Sequence, residues 1–284
     1  MSSTSAQDLF VPAGQRVHID SRIRWFPDLR SLLRAKQLIV LLSRRNITVK
    51  YRQTAGGSIW IFAGPLVSAG LFSLVFGEIA GLPSDGVQYF AFSYAGLLGW
   101  NLFSTTLTTA SSSLTNNASL ITKIYFPRLV LPLSTIASTL LNTLISFVVM
   151  LVLLLIYGIG FSLQMLLLPV WLLLGMVLAM GIALVLAAIA VSYRDVNYLT
   201  PVFIQLFLFV SPVAYAVDAV PDNLRTFYLL NPLTTIVEGC RWSLLGSASL
   251  TGWAIAYTVA LTLGALAAGL SLFARLESSF ADVI

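Results

Sequence analysis

Long uninterrupted apolar runs, rather than the short alternations of a soluble fold, set the rhythm of this chain. Six runs stand out, at residues 59–77, 89–114, 131–157, 163–191, 199–217 and 253–274. A helix needs roughly 20 apolar residues to cross the hydrocarbon of a bilayer, and none of the six runs contains Asp, Glu, Lys, Arg or His. The pattern predicts an all-α integral membrane fold with six transmembrane helices per protomer.

The segments that break this rhythm are as informative as the runs. Residues 1–27 form a polar tail. Residues 28–55 mix Leu, Ile and Val with cations; Leu29, Leu32, Leu33 and Leu42 can share one helical face, with Arg30, Arg34 and Arg45 turned to water or headgroups. That is the signature of an amphipathic helix lying in a membrane interface. Gly56, Gly57 and Ser58 break it and open the membrane domain, residues 56–284. After the fifth run, residues 218–250 hold two helical stretches too short to span. Pro221 opens the first. Asn231 is a good N-cap with Pro232 at the first helical position, so the second runs from Leu233 to about Leu245 and stops at Gly246. Backbone that dips into a bilayer without crossing it is tolerated inside protein or beside water, so the segment is expected to be a re-entrant hairpin acting as an external gate. Glu238 and Arg241, three residues apart, can pair on it.

Between the second and third runs the chain reads NNASLITKIYFPRLVLP. Residues 116–131 are expected to form a rigid elbow: Asn116 or Asn117 caps a short helix to about Phe126, and Pro127 ends it because a residue before proline is pushed out of the helical region. Such an elbow would present Lys123, Tyr125, Phe126 and Arg128 to solvent. Aromatic residues and arginine are favoured at protein interfaces, so the elbow is expected to dock a partner.

Charge sets the orientation. Of 16 Lys and Arg residues in a 284-residue chain only 10% charged, ten precede the first run. Lys123 and Arg128, Arg194, and Arg275 fall on the same side when the spans alternate. Only Arg225 and Arg241 fall on the other. The positive-inside rule then places both termini and the elbow in the cytoplasm. The net charge of +5 reflects this topology and attraction to anionic lipid, with no nucleic acid implied. A lone cysteine, Cys240, and a lone histidine, His18, offer neither a disulfide nor a metal site.

Ion-coupled transporters place acidic or histidine side chains within their spans; these spans carry none. Nor does the chain contain the Gly-Lys dipeptide that a phosphate-binding P-loop requires. A catalytic site is not expected. The expected function is that of a permease driven by a separate cytoplasmic ATPase.

The stretches TVKYRQTAGGSIWIFAGPL, KIYFPRLVLPLS, SYRDVNYLTPVFIQLFLFVSPVAY, LLNPLTTIVEGCRWSLLG and the ending FADVI, in this order, resemble the permease subunits of ABC-2 type polysaccharide exporters of the Wzm-like, O-antigen group. The resemblance implies a homodimer of permeases in the bacterial inner membrane, joined to two copies of an ATP-binding subunit that holds ATP and Mg²⁺, and exporting a lipid-linked polysaccharide. It makes Asn117, Lys123, Tyr125, Phe126, Pro127 and Arg128 the ATPase-coupling residues. Tyr193, Arg194 and Asp195 would form the cytoplasmic entrance, Arg194 and Asp195 being equally readable as a structural ion pair. Arg44, Arg45, Lys50 and Arg52 would attract the lipid pyrophosphate. Pro221, Asn231, Pro232, Glu238 and Arg241 would belong to the external gate. A glycan is a string of hydroxyls with apolar faces, so aromatic rings are expected to line its path: Tyr89, Phe90, Tyr94, Trp100, Phe207 and Tyr215, with hydroxyls from Thr105, Thr106, Thr108 and Thr109. The alternative cargo on the same architecture is a teichoic-acid-like polymer or a lipid- or drug-like small molecule.

Overall fold

The structure is a computed structural model that describes residues 29–52, 59–247, 250–277 and residue 280; the polar tail 1–27 lies outside the described residues. Among them every regular element is helical. In chain order these are α1 (Leu29–Arg34), α2 (Lys36–Arg52), α3 (Ile59–Phe72), which continues as a π-helical stretch Ser73–Ile79, α4 (Tyr89–Ser111), α5 (Ala118–Lys123), α6 (Val130–Ile156), α7 (Leu168–Ser192), α8 (Val196–Val210), α9 (Asp222–Leu229), α10 (Pro232–Leu245) and α11 (Gly252–Leu276). Four helical stretches are long and apolar enough to cross a membrane: Phe62–Ile79, Val130–Ile156, Leu163–Ser192 and Gly252–Leu276.

α4 is the centre of the bundle. It is buried along almost its whole length, from Ala91 to Ser111, and α3, α6, α7 and α10 pack around it. Its sequence explains the position. Gly96, Gly99, Ala91, Ala95, Ser93 and Thr106 let neighbouring backbones come close, as small residues do wherever lipid offers no hydrophobic drive for helix association. α11 packs along α7 and touches α10.

α1 and α2 are one nearly continuous helix, since the Ala35 amide donates to the Ser31 carbonyl at 3.0 Å and the Ile39 amide to the Ala35 carbonyl at 3.0 Å. It rests on the start of α6 rather than standing free. Leu42 is buried; the Ser43 hydroxyl donates to the Ser134 carbonyl at 3.1 Å, and the Asn46 amide donates to the Ser134 hydroxyl at 3.2 Å.

The fifth apolar run departs from expectation. It was expected to be helical over 199–217, but α8 stops at Val210. Ser211 takes extended geometry (φ −92°, ψ 140°) because Pro212 follows it. The chain then turns through residues 211–215 with the carbonyls of Pro212, Val213 and Tyr215 released from any helix.

The 218–250 segment follows the capping chemistry read from its sequence. Asn231 accepts from the Leu233 amide at 3.0 Å, Pro232 opens α10, and Gly246 closes it at φ 70°, a left-handed conformation in which a Cβ is strained. α9 is largely exposed, while α10 is buried over most of its surface against α4, α7 and α11.

Candidate functional site, an open groove and a helical elbow

α8 stands away from the bundle. Among its described side chains only Thr200 is buried, and Leu199, Val202, Phe203, Leu206, Phe207, Phe209 and Val210 are each about half exposed or more. Between α8 and α4 runs an open groove of about 370 Å³. Its α4 wall is Trp100, Ser104, Thr105, Thr108 and Thr109, a spacing of four and five residues that puts one helical stripe toward the gap. Pro201, Ile204, Gln205 and Leu208 of α8 form the other wall. The threonine hydroxyls spend their protons on their own helix: Thr108 donates to the Ser104 carbonyl at 2.7 Å and Thr109 to the Thr105 carbonyl at 2.7 Å. Their oxygen lone pairs remain as acceptors, and Gln205 adds both donor and acceptor. A ring, a row of acceptors and an amide suit an uncharged, hydroxyl-rich ligand.

The aromatic residues expected on one path do not share a surface. Trp100 reaches the groove, and Phe207 lines a separate apolar crevice of about 300 Å³ with Phe103, Leu186 and Phe203. Tyr94 is enclosed, its hydroxyl donating to the Ser146 carbonyl at 3.2 Å. Phe90 is half-buried. Tyr89 donates to the Ala214 carbonyl, and Tyr215 donates to the Phe209 carbonyl at 3.0 Å and meets the Tyr228 hydroxyl at 3.0 Å; both rings brace the turn after α8. Of the four threonines, Thr106 is buried and bonded to the Leu102 carbonyl at 2.7 Å; the other three face the groove or its rim. Ser104 and Gln205 were missed. Gln205, the one amide in the fifth apolar run, was the available signal.

At one end of the groove the chain leaves α4 through a 3₁₀ turn, Thr115–Asn117, and enters α5. α5 ends at Lys123, three residues before the expected Phe126. The reason is Pro127, whose ring clashes with the carbonyl four residues earlier in a helix, that of Lys123. Ile124 is accordingly extended (φ −135°, ψ 135°). Asn117 precedes α5 but does not cap it. Its amide donates back to the Ser113 carbonyl at 2.9 Å, and its carbonyl oxygen accepts from Arg45 at 3.3 Å, joining α2 to the elbow.

The elbow exposes a different face from the one expected. Lys123 is exposed, and so are Ile124 (57%) and Tyr125 (79%). Phe126 is buried at 8% and pegs the elbow to the bundle together with Ile121. Arg128 is half-buried: its amide donates to Glu277 Oε1 at 2.8 Å and its guanidinium donates to the Glu277 carbonyl. Pro127 is half-buried between them.

Beside the elbow lies a crevice of about 420 Å³ lined by Ser112, Thr115, Asn116, Arg194, Asn197 and Tyr198. Asn197 donates to the Thr115 hydroxyl at 3.3 Å. Tyr193, Arg194 and Asp195 are all exposed, and among the described residues Arg194 and Asp195 form no ion pair with each other. Arg44 and Arg45 are exposed on α2; Lys50 and Arg52 lie on the same helix, and their side chains are outside the described ones.

At the opposite end, Glu238 and Arg241 do pair, at 2.8 Å, but deep inside the protein. Arg241 is fully buried and lies 3.7 Å from the centroid of the Phe92 ring. Its guanidinium donates to the carbonyls of Pro212 (2.8 Å), Val213 (2.6 Å) and Tyr215 (3.2 Å). These are the carbonyls that the break after α8 sets free. On the surface nearby, Asp218 pairs with Arg225, and burial followed by repulsion from Asp218 raises the Asp85 carboxyl above its usual range against the pull of Arg241. Pro221 is exposed at the start of α9.

Comparison with known proteins places this geometry. The family model described as "ABC-2 type transporter" matches residues 37–245, which include the elbow, both walls of the groove and the buried ion pair. Curated relatives include the O-antigen export system permease protein RfbA of Myxococcus xanthus, 28% identical over 211 residues that cover 74% of this chain and 80% of that protein. Another is the O-antigen export system permease protein RfbA of Klebsiella pneumoniae, 26% identical over 249 residues covering 87% of this chain and 95% of that protein. The match to the family model extends over well more than half of the chain, and the chain belongs to the ABC-2 type transporter family, as a multi-pass membrane permease subunit.

Proposed function

We propose that this chain is the transmembrane subunit of an ATP-driven exporter that moves a lipid-linked, O-antigen-type polysaccharide out of the cytoplasm. The observation that carries the reading is the groove between α4 and α8, with its ring, acceptor row and single amide and no charged side chain among its lining residues. The names of the curated relatives support the same cargo.

In this reading six segments cross the inner membrane, α4 and the 15-residue α8 with the turn that extends it joining the four apolar stretches, and both termini are cytoplasmic. Two protomers form the working unit. The half-exposed apolar face of α8 supports pairing with a second copy, which would convert an open groove into an enclosed path. Two ATP-binding subunits, holding ATP and Mg²⁺, dock on the elbows through Ile124 and Tyr125. The basic residues of α2 and Arg194 draw the anionic head of the lipid carrier to the entrance. The hairpin α9–α10 is the external gate. Sugar hydroxyls donate to the threonine oxygens, and sugar faces slide over Trp100. Many weak neutral contacts hold a polymer without trapping it.

The test is a proteoliposome containing the permease and its ATP-binding subunit, loaded with lipid-linked polysaccharide on the ATP-accessible side. Glycan should appear on the far side only with ATP and Mg²⁺. Equal movement of a glycan-free lipid would overturn the cargo assignment. Two variant sets follow. Ile124→Asp with Tyr125→Asp should cut retention of the ATP-binding subunit by about tenfold or more, the size of an interface hot spot, while the permease still accumulates; co-purification measures it. Thr108→Val, Thr109→Val and Gln205→Leu each remove hydrogen-bonding groups worth about 1 kcal/mol apiece. Combined, they should lower exported glycan by roughly tenfold or more at an unchanged rate of ATP hydrolysis.

A further inference from the structure

The elbow is spliced between α4 and α6, so a push on it passes directly along the chain into those two helices. The structure holds a second attachment, 149 residues away in sequence. The Arg128 amide donates to Glu277 Oε1 at 2.8 Å, the Arg128 guanidinium donates to the Glu277 main-chain carbonyl, and its Cζ lies 6.0 Å from the Phe280 ring centroid. Phe280 is 2% exposed and packs edge-on against Phe273 of α11 at 5.3 Å.

The chemistry is reciprocal. Glu277 caps the C-terminal end of α11, where carbonyls lack helical partners and a cation is favoured. Arg128 lies just before α6, whose N-terminal end favours an anion. Each helix end receives from the other the charge its dipole calls for, through charge-assisted hydrogen bonds that are shorter and stronger than neutral ones. α11 in turn meets α7 backbone to backbone: a Cβ on Gly269 would lie 2.3 Å from the Gly181 carbonyl oxygen. α7 and α11 are therefore expected to move as one body.

We propose that Glu277 is a positioning residue that fastens the elbow to α11, so that displacement of the elbow by the ATP-binding subunit drives the α7–α11 pair as well as α4 and α6. The proposal rests on the transport reading above and adds a second route for its mechanical step. Loss of the fastening leaves docking and ATP hydrolysis in place and wastes the stroke.

The experiment compares the parent, Glu277→Gln and Glu277→Ala in the assembled complex in proteoliposomes. It reads glycan exported per ATP hydrolysed, together with the yield of assembled complex and its thermal unfolding midpoint. Glu277→Ala deletes the carboxylate that accepts from the Arg128 amide and leaves only the guanidinium's main-chain contact; it should hydrolyse ATP at the parent rate and export about tenfold less glycan per ATP, within the usual span of coupling between sites. Glu277→Gln keeps an acceptor oxygen but loses the charge, and should fall between. A parent-like ratio in Glu277→Ala would overturn the inference. So would an equal fall in yield, hydrolysis and export, which marks a purely structural role. If Glu277→Ala does not assemble, Glu277→Gln decides: a lowered export ratio supports the fastening and an unchanged one refutes it. A parent complex that hydrolyses ATP without export would overturn the transport reading itself, whereas a coupled parent with an equally coupled Glu277→Ala overturns this inference alone.

Discussion

Arg241→Met is expected to lose about 3–5 kcal/mol of stability, the usual result when one partner of a buried ion pair is removed, and to reach the membrane at a small fraction of the parent level. The cost has two parts. Glu238, 6% exposed, is left as an uncompensated carboxylate. The carbonyls of Pro212, Val213 and Tyr215 lose the guanidinium that replaces their missing helical donors, and each orphaned polar group costs about 1–3 kcal/mol. Thermal unfolding in detergent and the yield of folded protein measure the loss. A midpoint equal to the parent would sink the assignment of Arg241 as the tie between α4, α10 and the turn after α8.

Two companions separate charge from shape. Arg241→Lys keeps the charge but offers a compact ammonium, which cannot span three carbonyls and lie over Phe92 at once; most of the loss should persist. Glu238→Gln keeps an acceptor for Arg241 and leaves every carbonyl contact intact, so its loss should be the smallest of the three. Space is as tight as charge here. A Cβ on Gly96 would lie 2.8 Å from Arg241 Nη2 and 3.0 Å from the Val213 carbonyl oxygen, so the guanidinium fits because α4 carries no side chain at that point.

The features legible in the sequence were those written in local chemistry. Asn231, Pro232 and Gly246 bracket α10 to within one residue of the expected start at Leu233, because capping depends on neighbours within one turn. The long apolar runs are visible for the same reason, and family motifs carried the rest. What stayed hidden depends on partners far along the chain. Glu238 and Arg241 read as a helical pair at three-residue spacing, yet nothing in that spacing shows carbonyls 26 to 29 residues earlier, or the Phe92 carbonyl 149 residues earlier. Arg128, between two prolines, read as a solvent-facing cation; its partner Glu277 is equally remote. The break in α8 is a different case. Pro212 stood in plain view within the fifth run, but hydropathy averages over a proline that geometry cannot ignore. The groove was half legible: helical spacing finds the threonine stripe, but only packing shows that Tyr94 turns inward and Gln205 outward.

Gly269→Ala should be among the most damaging single methyl additions in the described chain, because the atom it meets is backbone. Its Cβ would lie 2.3 Å from the Gly181 carbonyl oxygen and 3.2 Å from Leu184 Cβ. Gly181→Ala meets the same crossing from the other side, 2.6 Å from the Leu266 amide nitrogen and 2.7 Å from the Ala265 carbonyl carbon. Backbone atoms have no rotamer to change, so α7 and α11 must move apart along their contact, and overpacking of this kind costs about 1–3 kcal/mol or more. Gly264, on the same helix, has nothing within 4 Å of its would-be Cβ. Gly264→Ala relieves only the helical penalty of glycine and should raise stability by about 0.5–1 kcal/mol. The same change five residues apart on one helix thus has opposite signs, a comparison that cancels detergent and expression effects. The two crossing variants should also fail to add. Once one methyl has forced the helices apart, the second enters a gap already opened, so Gly181→Ala with Gly269→Ala should cost clearly less than the sum of the singles, as neighbours sharing one backbone shift do. Additive losses would mean that each glycine is accommodated by its own local relaxation, and that α7 and α11 are not a single rigid unit.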